Sequence, residues 1–182
     1  QAYTDAGLMP VLKHFPGHGD TTNDSHNDVA ISKNLEQLKS KDLLPYELLN
    51  QYSSVGVMVG HLIVPGTSND LPSTMSQPII KGLLRTELGF EGTVFSDALG
   101  MGAVAKYYPE EATALAFLTA GGTILIVPSV QSASKISKAI ESSITNKKMN
   151  PSIITNAALQ VFRTKGINPC LTIASGKKTQ RR

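Results

Sequence analysis

The chain has 182 residues, of which 41% are hydrophobic and 17% charged, which is enough apolar material for one packed core and excludes a disordered segment. Its formal net charge of +3 is small, and Lys177, Lys178, Arg181 and Arg182 gather much of it in the closing GKKTQRR, a solvated tail and not a nucleic-acid-binding arm. A single cysteine, Cys170, excludes an internal disulfide framework and a multi-cysteine zinc site, and no apolar run approaches the ~20 residues of a membrane span.

The chain starts at Gln1 with no signal-peptide pattern, so its natural amino terminus is expected to lie upstream or to have been processed. Gly7 to Phe15 reads as a strand that runs into the polar segment KHFPGHGDTTNDSHND, residues 13–28. Leu35 to Gln51 follows as helix, with Leu35, Leu38, Leu44, Leu48 and Leu49 on the apolar stripe and Asp42 able to cap a new start. SVGVMVGHLIV, residues 54–64, is a continuous apolar run of the kind buried on both faces of a parallel sheet.

Ser76 can cap a helix that has Pro78 in its first turn, core positions Ile80, Leu83, Leu84 and Leu88, and Gly89 as its stop. Thr93 to Ser96 makes a third strand that ends on Asp97. A helix from Pro109 and Glu110 reaches Gly121 and Gly122, and Thr123 to Val127 is the fourth strand. Two helices close the chain, one through Ile136, Ile140 and Ile144, the other from Asn150 as cap and Pro151 as first residue to Phe162. The order βαβαβαβα indicates a parallel α/β fold. His14, His61 and Asp97 fall at or just past the carboxyl ends of strands, where both barrels and doubly wound sheets keep their sites.

Three chemistries compete for the polar segment. His14 and His18 have metal-ligand spacing, but Pro16 and Gly17 between them break the helix that would align the rings. PGHG lacks the spacing of a phosphate loop. Acid/base work is the third: Asp24 and His26 are two apart, and in a loop that carboxylate can reach the imidazole, fix its tautomer and favour its charged form. A capped turn with a surface histidine would have the same sequence.

KHFPGHGDTTNDSH, GHLIVP (60–65), LLRTELGFEGTVFSDALGM (83–101) and AGGTILIVP (120–128) stand in the order and approximate spacing of glycoside hydrolase family 3. KHFPGHG followed by DSH resembles in particular its β-N-acetylhexosaminidase branch, the NagZ type. The resemblance implies a (β/α)8 TIM barrel, of which residues 1–168 would be the last four βα units and residues 169–182 a polar basic tail. It implies a retaining exo-glycosidase that releases terminal β-linked N-acetylglucosamine, with Asp97 as nucleophile and His26 as acid/base, oriented by Asp24. Lys13 and His14 would bind the sugar hydroxyls, and His61 with Pro65 would shape the pocket.

The same resemblance implies no cofactor and no metal, a carbohydrate as the partner rather than a nucleic acid or membrane, and an upstream half-barrel that completes the sugar site. Cell-wall recycling in a bacterial cytoplasm is the corresponding setting, with a periplasmic or exported location as the alternative. Two departures stand out: Thr123 where relatives commonly have an aspartate, read as the end of the last strand, and Ala98 after the nucleophile. A family 3 β-glucosidase and a non-catalytic sugar-binding fragment are the alternatives.

Overall fold

The computed structural model describes residues 2–49, 54–67 and 70–168. Gln51, Cys170 and the basic tail lie outside the described residues. A one-turn helix, α1 (Ala2–Asp5), precedes β1 (Val11–Phe15), and a loop leads to a two-residue strand, β2 (Ala30–Ile31). Helix α2 (Leu35–Gln37) passes through a π-helical stretch, Leu38–Asp42, before α3 (Leu44–Leu49). Then come β3 (Gly56–Val59), β4 (Leu62–Ile63), a 3-10 turn at Ser73–Met75, a π-helix at Pro78–Glu87 and β5 (Val94–Ala98). The remainder is α4 (Gly102–Ala105), α5 (Glu110–Thr119), β6 (Ile124–Ile126), α6 (Val130–Thr145) and α7 (Pro151–Thr164).

Strands β1, β3, β5 and β6 form one sheet in that order, every pair parallel. Within this sheet each strand lies beside the one that follows it in sequence, β2 and β4 pairing apart from it, and the order never reverses. A doubly wound sheet reverses its order at the ligand crevice, whereas a barrel advances one strand at a time, so this topology is the barrel's. Val57, Val59 and Val94 pack with Ile79, Ile80, Leu83, Leu84 and Phe117 in the main core between sheet and helices. Met58 and Phe95, register partners in β3 and β5, alternate to the opposite face and are only partly buried.

Several elements depart from the sequence reading. The apolar run 54–64 is not one strand: the chain leaves the sheet at Gly60 and His61, and Leu62–Ile63 pairs instead with Ala30–Ile31 in a separate two-stranded sheet. The run predicted from Leu35 to Gln51 is broken, and its start is a capping box in which Asn34 accepts from the Gln37 backbone while the Gln37 side chain reaches back to Asn34. Asp42, expected to cap a new start, is instead the last residue of the π-helical stretch, whose end is closed by Leu43 N–H to the Leu38 carbonyl at 2.9 Å.

Ser76 likewise gives no side-chain cap to the helix after it; its carbonyl accepts from Ile80 N–H at 2.9 Å. That helix does stop at Gly89, which takes the left-handed conformation at φ 67°. Asn150 caps α7 as expected, accepting from Ser152 N–H at 3.0 Å with Pro151 in the first position.

Candidate active site

Lys13 and His14 lie near the carboxyl end of β1, and the next two strands of the sheet bring His61 and Asp97 to the same rim. β1 ends in two cis peptide bonds, Lys13–His14 and Phe15–Pro16. Gly17 then turns the chain close against Asp42, where a Cβ would stand 2.6 Å from the Asp42 Cβ. Only glycine leaves room for that approach. A hollow of about 390 Å³ opens here, lined by Lys13, His14, His18, Asp42 and Tyr46. Another of about 390 Å³, beside Arg85, Thr123 and Gln160, lies toward the amino-terminal ends of the strands and holds none of the predicted site residues.

Asp97, 8% exposed, takes Ala98 N–H on Oδ1 at 2.9 Å, and its Oδ2 is 3.6 Å from His14 Nε2. That separation is too long for a hydrogen bond. Burial pushes the His14 imidazole below its ordinary value, and the attraction of Asp97 offsets this only in part. Near neutral pH, therefore, His14 meets Asp97 as an uncharged ring and not as the cation of an ion pair. Among the described residues, Oδ2 of Asp97 has no partner at the rim nearer than His14, the state a nucleophilic oxygen needs.

His61 lies behind this rim and is 1% exposed. Its Nε2 donates to the Ala98 carbonyl at 3.0 Å, which fixes the tautomer, so Nδ1 accepts from the Thr74 hydroxyl at 2.7 Å. Burial holds this imidazole below its ordinary value as well. Both nitrogens are committed to protein groups. His61 thus anchors the peptide that follows Asp97 and does not face the solvent side of the rim.

The segment between β1 and β2 carries Asp24 and His26. Asp24 Oδ1 accepts from both His26 Nδ1, at 2.6 Å, and the His26 backbone N–H, at 2.9 Å. These two bonds hold the Asp24 carboxyl below its usual range. An ionised carboxylate only accepts, so Nδ1 carries the hydrogen and Nε2 is the nitrogen free to exchange protons. The pair is open to solvent, with the side chains 74% and 60% exposed.

Ser25, between them, points the other way and is 1% exposed, its Oγ 2.8 Å from His18 Nε2. The His18 ring in turn stands edge-on to His14, centroids 5.5 Å apart. The sequence reading weighs His18 only as a metal ligand and gives Ser25 no role; the contact between them depends on the turn at Asp24, closed by Asn27 N–H and Asp28 N–H to the Asp24 carbonyl, which sends Asp24 and His26 outward and Ser25 inward. Among the described residues no three His, Cys, Asp or Glu side chains converge as a metal site requires.

Residues 1–164 match the family model described as "Glycosyl hydrolase family 3 N terminal domain". The chain is 37% identical over 175 residues to beta-hexosaminidase LpqI of Mycobacterium tuberculosis, covering 93% of this chain and 45% of that protein. It is 35% identical over 142 residues to beta-hexosaminidase A of Pseudoalteromonas piscicida, with 70% of this chain and 24% of that one covered.

The solved M. tuberculosis LpqI superimposes with a TM-score of 0.85 at 37% identity, over 92% of this chain and 50% of the other. The beta-N-acetylglucosaminidase of Thermotoga maritima does so with 0.81 at 29% identity, over 89% and 36%. The chain thus spans about half the length of the LpqI relatives it matches.

Proposed function

The chain belongs to glycosyl hydrolase family 3, and from that premise we propose that it carries the reacting residues of a retaining exo-glycosidase that releases terminal β-linked N-acetylglucosamine. The observation that carries the reading is the Asp24–His26 pair, a proton donor bonded at 2.6 Å to its own carboxylate on a loop beside a rim that holds Asp97. Most retaining glycosidases use two carboxyl groups and must raise the pKa of one. A histidine does the same work near neutral pH without bringing a second negative charge toward the nucleophile.

In the first half-reaction Asp97 Oδ2 attacks the anomeric carbon as its bond to the leaving oxygen breaks. His26 Nε2 gives that oxygen its proton. In the second, water attacks the glycosyl ester of Asp97, His26 takes the water's proton, and the Asp97 carboxylate leaves with the sugar's configuration retained. Lys13 and His14, which line the hollow at the end of β1, would contact sugar hydroxyls in this reading. The rest of the sugar site belongs, in this reading, to an upstream half-barrel, which would account for the relatives' greater length. Cell-wall fragments ending in N-acetylglucosamine are the natural substrate class we favour, with chitin fragments as the competing one.

The test is hydrolysis of a chromogenic N-acetyl-β-glucosaminide against the β-glucoside by the chain joined to its upstream half. We expect preference for the former, a drop of about 10² to 10⁴ for His26→Ala, and at least as large a loss for Asp97→Ala. Preference for the glucoside would overturn the substrate assignment.

A further inference from the structure

The loop that carries Asp24 and His26 lies along α4, the short helix that begins just after Asp97. Gly102 N–H donates to the His26 carbonyl at 3.0 Å, and Ala103 N–H to the Ser25 carbonyl at 3.3 Å. The approach is so close that a Cβ on Gly102 would stand 2.2 Å from the Asn27 carbonyl oxygen and 2.6 Å from its carbon. Gly102 is an ordinary helical residue of α4, so the space beside it, and not its backbone angles, requires glycine. Just past the other end of α4, Tyr107 Oη donates to Asp28 Oδ1 at 2.5 Å and Lys106 Nζ to Oδ2 at 3.2 Å. On the rim side, His18 holds Ser25 at 2.8 Å.

We propose that α4 is a cradle for the acid/base loop and that Gly102 is a positioning residue for proton transfer, its missing side chain leaving the space in which the loop backbone seats. This rests on the functional reading above and adds to it the part that holds His26 in place. The dyad bond is formed while the loop is seated, and the seat shares a strand-to-helix connection with Asp97. Docking on α4 therefore references the proton donor to the nucleophile's own strand. A loop displaced by even an ångström loses in-line proton delivery, an error of a size that costs about a hundredfold.

The test compares Gly102→Ala with the parent in the full-length enzyme, on a substrate with a poor leaving group (N,N′-diacetylchitobiose) and one with a good one (the 2,4-dinitrophenyl glycoside). Departure of the good leaving group needs little proton donation, and added azide replaces water without needing a base. We expect kcat/KM on chitobiose to fall about a hundredfold, while turnover of the dinitrophenyl glycoside in azide stays close to the parent's. Tyr107→Phe, which frees the Asp28 end, should show the same selectivity to a smaller degree and carries the test if Gly102→Ala fails to fold.

Gly82→Ala serves as the control, since a Cβ there meets nothing within 4 Å, and it should leave both rates unchanged. Equal losses on both substrates, or none on either, would overturn the cradle while leaving the enzyme assignment intact. A parent that hydrolyses neither glycoside would instead remove the functional reading and, with it, this role.

Discussion

Two of the four histidines, His14 and His61, are held below the ordinary imidazole value of 6.5 by burial, against the pull of Asp97. The folded chain therefore resists their protonation, while the unfolded chain takes up protons as the pH falls through 6.5. The unfolded state then binds more protons, and stability decreases as pH drops through and below that value, with no contribution above it. The urea midpoint should stay level above about pH 7 and decline between about pH 6.5 and 5. His61→Gln should flatten part of that decline; a midpoint that rises on acidification would contradict the burial argument.

The residues that carry the proposed chemistry were legible because chemistry constrains residue type: an Asp at a strand end and an Asp-x-His turn are visible without any fold. His61 was legible as a rim residue but not as one facing inward, since only tertiary contact with Thr74 and Ala98 decides that. Gly102 gave no signal because its partner is the backbone of a loop some seventy-five residues earlier in the chain.

Among the elements, those whose ends are written locally were read well. Asn150 and Pro151 start α7, and Gly89 stops the π-helix, because caps and left-handed glycines act within one turn. The run 54–64 was misread since an unbroken apolar stretch has no period to show where the chain turns out of the sheet. Strand β2, two residues long, exists only through its pairing with β4.

Thr123, taken from sequence as the end of the last strand, instead precedes β6 and is nearly buried, receiving Val94 N–H and Arg85 Nη2 on its hydroxyl, each at 3.3 Å. Arg85 also donates to the carbonyls of Phe90, Gly92 and Gly121, tying together the segments that lead into β5 and β6. Burial pulls this guanidinium down to about 10, and it remains charged at neutral pH. Arg85→Met leaves those carbonyls without their donor and should cost about 2–3 kcal/mol in urea unfolding. Turnover per folded molecule should be unchanged, because the staple sits at the far end of the strands from Asp97. A parallel loss of kcat would show coupling that these contacts do not contain.

As a whole, the sheet closes on neither side: among the described residues β1 and β6 each keep one edge without a strand partner. Leu44 and Leu48 are 47% and 67% exposed on α3, and Leu8 is 58% exposed before β1. Bare parallel edges beside exposed leucines favour self-association. The 182-residue chain alone should elute as oligomers or aggregate, with little or no hydrolysis, and supplying the upstream half in trans should restore a defined species. Light scattering distinguishes these outcomes, and a monodisperse, active chain would refute the half-barrel reading.

The β5-to-α4 connection has one further consequence, for thermal motion. Asp97 and the Gly102 seat ride on the same few residues, so a displacement of β5 carries the proposed nucleophile and the loop together. Their separation is then insensitive to sheet breathing, and disturbances elsewhere in the sheet should change how long the folded protein survives before they change the rate of the proposed reaction.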